Sequence, residues 1–288
     1  MTFKRRQNKA NFKNFFKVVK KPSGKLAASL AGPKKKPRRG IYLLPNAFTT
    51  AALFCGFYAI VMGMDGHFEK ATMAIFIAMV LDGLDGRVAR LTNTQSEFGA
   101  QYDSLSDMVS FGAAPALVAY EWGLRVLGQW GWLAAFIYCA CAALRLARFN
   151  TNIAVVDKRY FQGIPSPAAA GLVAGFIWAM TDFRQDPADL HWVLWAITLV
   201  AGFTMVSNVP FYSFKEVNLK KSVPFAAPLV LVLAYVLIVS FPSFVLFSIF
   251  VLYCLSGYGV FLWRWRKGSP VSIVQTRVEA HDHDHEHE

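Results

Sequence analysis

Eight stretches of roughly 20 mostly apolar residues recur along the chain, at about 46–64, 70–90, 99–121, 130–149, 167–181, 190–208, 223–241 and 243–263. A run of that length matches the hydrocarbon thickness of a bilayer, and inside lipid a helix satisfies every backbone N–H and C=O internally. The expected fold is therefore an all-α integral membrane protein of about eight transmembrane helices. With 55% of the 288 residues hydrophobic and 15% aromatic, one soluble domain is a poor alternative. Before Asn46 no apolar stretch is long enough for a cleaved signal peptide, so the first true span is expected to direct insertion.

Lys and Arg are unevenly placed. They crowd the tail from Lys4 to Arg39, the end of the second stretch (Arg87, Arg90), the loops with Lys158 and Arg159 and with Lys215, Lys220 and Lys221, and the segment Arg264, Arg266 and Lys267. In an eight-span arrangement all of these lie on one side. The opposite loops carry chiefly Arg125 and Arg184, and the stretch Asp182 to Asp189 is mostly acidic. The positive-inside rule then puts both termini in the cytoplasm, in a bacterial-type inner (cytoplasmic) membrane. The net charge of +12 does not point to nucleic acid, because no soluble module is left to read it. Anionic lipid headgroups are the expected partner of the basic tail.

That tail, residues 1–41, divides in two. Phe12, Phe15, Phe16 and Val19 repeat at helical spacing among Lys13, Lys17, Lys20 and Lys21, which fits either an amphipathic helix over 11–21 in the headgroup plane or a disordered basic tail. Pro22 to Gly40 reads as a linker, and Pro45 suits a helix start. Residues 267–288 end in alternating His and acidic residues and read as a disordered tail without catalytic duty. Cys55, Cys139, Cys141 and Cys254 fall in apolar stretches without metal-type pairing and read as packing thiols.

The second stretch ends in Leu81-Asp82-Gly83-Leu84-Asp85-Gly86-Arg87-Val88-Ala89-Arg90, and the third opens with Gly99-Ala100-Gln101-Tyr102-Asp103-Ser104-Leu105-Ser106-Asp107. A carboxylate inside a span costs about 2.5–3.5 kcal/mol on insertion scales, so four in close succession require a function. At about 100° per residue, Asp82, Asp85, Gly86 and Ala89 share one stripe of a helix, and Gly99, Asp103, Asp107 and Ser110 share another. The short connection from Leu91 to Phe98 makes the two helices antiparallel neighbours, with both acidic stripes at the cytoplasmic level. Four carboxylates without His or Cys are hard oxygen donors suited to two divalent cations, Mg²⁺ or Mn²⁺, which together clamp a pyrophosphate. Gly86 and Gly99 leave room for a phosphate or nucleotide to approach the backbone. The competing readings of the same residues are a structural network of the aspartates with Arg87, Arg90, Arg145 and Arg148, and an ion path in a cation transporter.

The pattern Asp82-x2-Asp85-Gly86-x2-Ala89-Arg90-x8-Gly99-x3-Asp103-x3-Asp107 resembles the signature of the CDP-alcohol phosphatidyltransferases at every fixed position. The resemblance spans residues 42–210 as a six-helix core, leaving 211–266 as two additional spans. It implies that Asp82, Asp85, Asp103 and Asp107 bind two divalent ions and that Asp107 is also the general base. It further implies that Gly86, Ala89, Arg90 and Gly99, with Asp82 and Asp85, shape the cytidine diphosphate site, and that the protein is a homodimer.

Three further stretches are similar to the branch of that family whose acceptor is L-serine: Asp103 to Pro115, Arg145-Leu-Ala-Arg148-Phe-Asn150, and Phe161 to Ala168. The expected reaction is transfer of the phosphatidyl group of CDP-diacylglycerol to the serine hydroxyl. Glycerol 3-phosphate or inositol is the alternative acceptor. Arg145 and Arg148, at i and i+3, suit a lipid phosphate or an acceptor carboxylate, or else anchor the helix at the cytoplasmic face. Ser110 and Ser166 offer hydroxyls to the acceptor, and Asn150 an amide, although Ser166 and Asn150 equally suit helix caps. Asn46 and Thr49, at the start of the first span, face the nucleotide or cap that helix. Outside the C-terminal tail the only histidines are His67 and His191, both on the far side, so in-line displacement is expected rather than a covalent enzyme intermediate.

Overall fold

A computed structural model describes residues 43–151, 160–212 and 226–267. The basic tail with its expected helix over 11–21, the Lys158–Arg159 loop, the Lys215–Lys221 loop and the His-rich tail lie outside the described residues. The described chain is nearly all helical: α1 (Leu43–Met64), α2 (Phe68–Leu91), α3 (Glu97–Asp107), a π-helical segment (Met108–Ala113), α4 (Ala114–Trp122), a 3-10 turn (Leu124–Leu127), α5 (Gln129–Thr151), α6 (Ser166–Asp182), α7 (Pro187–Val206), α8 (Ala226–Ser240) and α9 (Pro242–Arg266). Strands β1 (Tyr160–Gln162) and β2 (Pro210–Tyr212) form a short antiparallel ladder.

Among the described residues four helices are long and apolar enough by themselves to cross a membrane: α1, α5, α7 and α9. The chain is a multi-pass membrane protein. The remaining rods fall short individually for local reasons. Charged residues crowd the end of α2, the third stretch is interrupted, α6 has 17 residues and α8 has 15.

Small side chains set the closest packing. Ala52 and Ala59 of α1 and Ala71, Ala74 and Ala78 of α2 are buried, and α1 lies along α2. Where no hydrophobic drive separates helix from lipid, such surfaces let backbones approach and gain dispersion contact. Gly56 brings α1 just as close to Ser110, four residues beyond Ser106 of α3, since a Cβ there would stand 2.5 Å from Ser110 Oγ and 2.7 Å from Ser110 Cα. Gly56→Ala is therefore expected to destabilise the protein by about 2 kcal/mol. Thermal unfolding in detergent checks this, and an unchanged midpoint refutes the tight contact. The hydroxyls of Ser106 and Ser110 reinforce it by donating to Thr49 O and Ala52 O of α1, both at 3.1 Å.

The third stretch is not the single helix its hydropathy predicts. Directly after Asp107 the backbone widens into the π-helical segment, and α4 resumes with Pro115 in its first turn. Proline has no N–H to return to the Phe111 carbonyl four residues back. The buried Tyr138 hydroxyl donates to that carbonyl at 3.0 Å instead, so the break is satisfied from α5. α2 and α3 meet through their acidic side chains as their phase predicts, and both pack more extensively on α1, which forms the third wall of the acidic cleft.

Helix ends follow from local chemistry. α2 closes in a Schellman motif: Asn93 takes the left-handed conformation (φ 52°), Asn93 N–H donates to Arg90 O at 3.3 Å, and Thr94 N–H donates to Ala89 O at 3.0 Å. Ser96 then caps α3 by accepting from Gly99 N–H at 3.0 Å. α6 is buried over most of its surface and is the central rod of the bundle. β1 and β2, an element with no sequence expectation, zip the connection before α6 to the one after α7, pairing Gln162 with Pro210.

Candidate active site

The acidic residues converge at the end of α2 and the start of α3. Carboxylate oxygens of Asp82, Asp85 and Asp103 lie within 4.8 Å of one another. Thr49 of α1 donates to Asp85 Oδ2 at 2.7 Å and also to Pro45 O at 3.2 Å, so its hydroxyl fixes one carboxylate while back-bonding its own helix. Asp107, one turn beyond Asp103, stands beside the Asp82 carboxyl and near the guanidinium of Arg145. Among the described residues the recorded ion pair is Arg125 with Glu121, and no Lys or Arg pairs with any of the four aspartates. The structural-network reading is thus not what the described residues show.

Three convergent carboxylates, with no protein cation paired to them among the described residues, are strongly unfavourable alone. Asp103 Oδ1 is moreover buried without a hydrogen-bond partner. Hard oxygen donors in this arrangement fit a divalent metal ion, and Asp82, Asp85 and Asp103 would hold it.

A cavity of about 450 Å³ opens beside this cluster. Its lining includes Asn46, Thr49, Asp85, Gly86, Ala89, Arg90, Gly99 and Asp103. Of the set expected at the nucleotide only Asp82 is outside that lining, and it belongs to the carboxylate cluster next door. Gly86 faces open space, with nothing within 4 Å of where a Cβ would stand. At Gly99 a Cβ would meet Ser96 Oγ at 3.1 Å and Asn46 Oδ1 at 3.6 Å, so glycine here keeps the cap and Asn46 close. Arg90 is exposed at the cavity rim, its Nε donating to Gly86 O at 2.9 Å. Thr94, Gln95 and Ser96 also line the cavity and went unnoticed in the sequence. Their signal was only the short polar link between the two halves of the acidic pattern.

The residues expected at the acceptor do not stay together. Arg145 is 9% exposed and donates through Nη1 to Ser166 Oγ at 2.8 Å, while its buried Nε has no partner. Ser166 is itself fully buried and does not cap α6 with its side chain. Arg148 is drawn away from the cleft. Its Nη1 donates to Val206 O (2.9 Å) and Asn208 Oδ1 (3.4 Å), and its Nη2 to Gln162 O (2.9 Å), Met205 O (3.2 Å) and Ser207 O (3.4 Å). A cation at the C-terminal carbonyls of α7 is electrostatically well placed, and these bonds leave it little for a ligand. Ser110 is fully buried, with its hydroxyl given to Ala52 O, which corrects its expected substrate contact. Asn150 exchanges hydrogen bonds with Ser104 Oγ at 3.0 and 3.3 Å and so links α5 to α3.

Residues 42–207, more than half of the chain, match the CDP-alcohol phosphatidyltransferase family, and the chain belongs to that family. Its similar relatives include proteins named CDP-diacylglycerol–serine O-phosphatidyltransferase. One from Helicobacter pylori is 38% identical over 186 residues, covering 64% of this chain and 78% of that protein. One from Mycobacterium tuberculosis is 37% identical over 212 residues, covering 70% and 72%. One from Saccharomyces cerevisiae is 39% identical over 181 residues, covering 54% and 64%.

Proposed function

We propose that the protein transfers the phosphatidyl group of CDP-diacylglycerol to the hydroxyl of L-serine, giving phosphatidylserine and CMP. The observation that carries the chemistry is the meeting of Asp82, Asp85 and Asp103 beside a cavity lined by glycine and polar side chains. The names of the relatives support serine as the acceptor.

In this reading the cavity seats the cytidine diphosphate, with Gly86 and Gly99 admitting it close to the backbone. The acyl chains stay in the bilayer. Asp107 accepts the proton of the serine hydroxyl, whose own acidity is far too weak to ionise at neutral pH. The serine oxygen attacks the lipid-side phosphorus in line, its new P–O bond forming as the bond to the CMP oxygen breaks, and CMP departs. Two divalent ions, Mg²⁺ or Mn²⁺, at the four aspartates would neutralise phosphate charge on the diphosphate and its leaving group. Arg145, rather than Arg148, offers a guanidinium to an anion at the acceptor, because Arg145 lies near Asp107 and keeps an unpartnered Nε, whereas Arg148 is given to backbone carbonyls.

The same proposal takes all eight helical stretches as spans, with both termini cytoplasmic in a bacterial-type inner membrane, as the distribution of Lys and Arg supports. It includes the homodimer that the family resemblance implies and anionic-lipid contact by the basic tail.

Purified protein supplied with CDP-diacylglycerol, Mn²⁺ and labelled serine is expected to release CMP and form labelled phosphatidylserine, and EDTA to stop the reaction. Absence of CMP release with any alcohol would overturn the enzyme reading. Release with glycerol 3-phosphate but not serine would overturn the acceptor alone.

A further inference from the structure

Two adjacent threonines of α1 meet both halves of the acidic pattern. Thr49 is 4% exposed, and its hydroxyl donates to Asp85 Oδ2 of α2 at 2.7 Å. A helical threonine commonly gives its proton to the carbonyl one turn back, and Pro45 O lies 3.2 Å away. One hydroxyl carries one proton, so the shorter, charge-assisted bond to the carboxylate takes the larger share. The main chain of Thr49 serves the other half: its carbonyl accepts from the Ser106 hydroxyl of α3 at 3.1 Å. The neighbouring Thr50 hydroxyl shares a hydrogen bond of 2.9 Å with Tyr102 Oη. Tyr102 and Ser106 stand one turn apart on α3 and bracket Asp103, and Asp107 follows directly after Ser106. α1 therefore holds the first acidic helix at Asp85 and the second on both sides of Asp103.

We propose that Thr49 is a positioning residue of the metal centre and sets the affinity of the aspartates for a divalent ion. The inference rests on the metal-dependent reading above. Asp82, Asp85 and Asp103 come from two helices, and their carboxylate oxygens lie within 4.8 Å of one another. Like charges at that separation repel, so the carboxylates splay unless something other than the ion restrains them. Thr49 supplies the restraint to both helices. Its hydroxyl fixes the plane of the Asp85 carboxyl, as partners outside the coordination shell orient metal ligands. Its carbonyl ties the helix of Asp103 and Asp107 to the same point. Asp85 and Ser106 are 5% and 2% exposed, so water competes little for either bond. Thr49 also lines the cavity, and direct contact with the nucleotide is the alternative that the experiment separates.

Thr49→Val keeps the size and branching of the side chain and removes the hydroxyl, which Thr49→Ser restores. Full-length protein in detergent micelles is titrated with Mn²⁺ without lipid substrate, and free Mn²⁺ is followed by its EPR signal. Binding elsewhere on the chain is subtracted with the double variant Asp82→Asn, Asp85→Asn. Thr49→Val is expected to raise the Kd for Mn²⁺ about tenfold, Ser106→Ala to raise it severalfold, and Thr49→Ser to stay within about threefold of the unmodified protein. An unchanged Kd in Thr49→Val refutes the proposal. A rise in its KM for CDP-diacylglycerol alone, measured by CMP release at saturating Mn²⁺, assigns Thr49 to the nucleotide and also refutes it. Equal loss of Mn²⁺ affinity in Thr49→Val and Thr49→Ser shows a packing role instead. Should Thr49→Val not fold, Ser106→Ala decides by the same Kd, an unchanged value refuting the tie to α3. Unmodified protein that binds no Mn²⁺ removes the metal centre itself, and this inference with it.

Discussion

Asp107→Asn is expected to lower the rate of CMP release about a thousandfold, within the range that general-base catalysis supplies, while the protein still inserts and melts near the unmodified midpoint. The substitution is nearly isosteric. It keeps an oxygen and adds an amide, but it cannot take up a proton. Asp107 lies beside Asp82 and near Arg145, so removing its charge relieves repulsion within the cluster as much as it weakens attraction to the arginine. A fall in activity without a fall in stability is therefore the signature of the base. Its measurement needs CMP release and thermal unfolding on the same preparation. Activity retained within tenfold would show that another group accepts the proton.

The second large effect is structural. Gly163→Ala is expected to destabilise the protein by about 3 kcal/mol or more. Gly163 sits at φ 74°, a conformation that side chains adopt only with strain, and a Cβ there would stand 2.4 Å from Met205 O and 2.8 Å from Thr204 O. Those are backbone atoms and cannot swing aside. The same turn carries Gly163 N–H to Val209 O (2.9 Å) and Ile164 N–H to Thr204 O (3.2 Å), and Arg148 binds the carbonyls on either side. Forcing a methyl into it pushes the entry of α6 from the end of α7 and moves Ser166, the partner of Arg145. Thermal unfolding checks this, with Gly86→Ala as the comparison. Gly86 opens on empty space, so its variant is expected to melt like the unmodified protein and to lose affinity for CDP-diacylglycerol instead. Equal midpoints for both glycine variants would refute the distinction.

The acidic pattern was legible because two constraints act on it locally. Lipid penalises each carboxylate, so four of them stand out, and helix phase alone puts Asp82 with Asp85 and Asp103 with Asp107. The glycine and alanine positions on the same stripes were readable by the same periodicity. Arg148, Ser110 and Ser166 were not, since each is a plausible ligand-binding side chain that instead hydrogen-bonds a partner distant in sequence: Val206, Ala52 and Arg145. Periodicity reports which face a residue occupies, and not what that face meets.

The sequence by itself determined the helical stretches, the membrane class, the two acidic stripes and the family, all of which depend on local hydropathy, phase and spacing. Only the tertiary structure decided that α1 packs on both acidic helices and walls their cleft, and that the third stretch breaks at a π-helical segment answered by Tyr138. It also decided which arginine is locked to backbone and that α9 packs along α6. The physical reason is one of range. Burial and helix propensity act within a few turns of the chain, whereas the donors and acceptors that fix a buried hydroxyl or guanidinium come from segments 21 to 58 residues away.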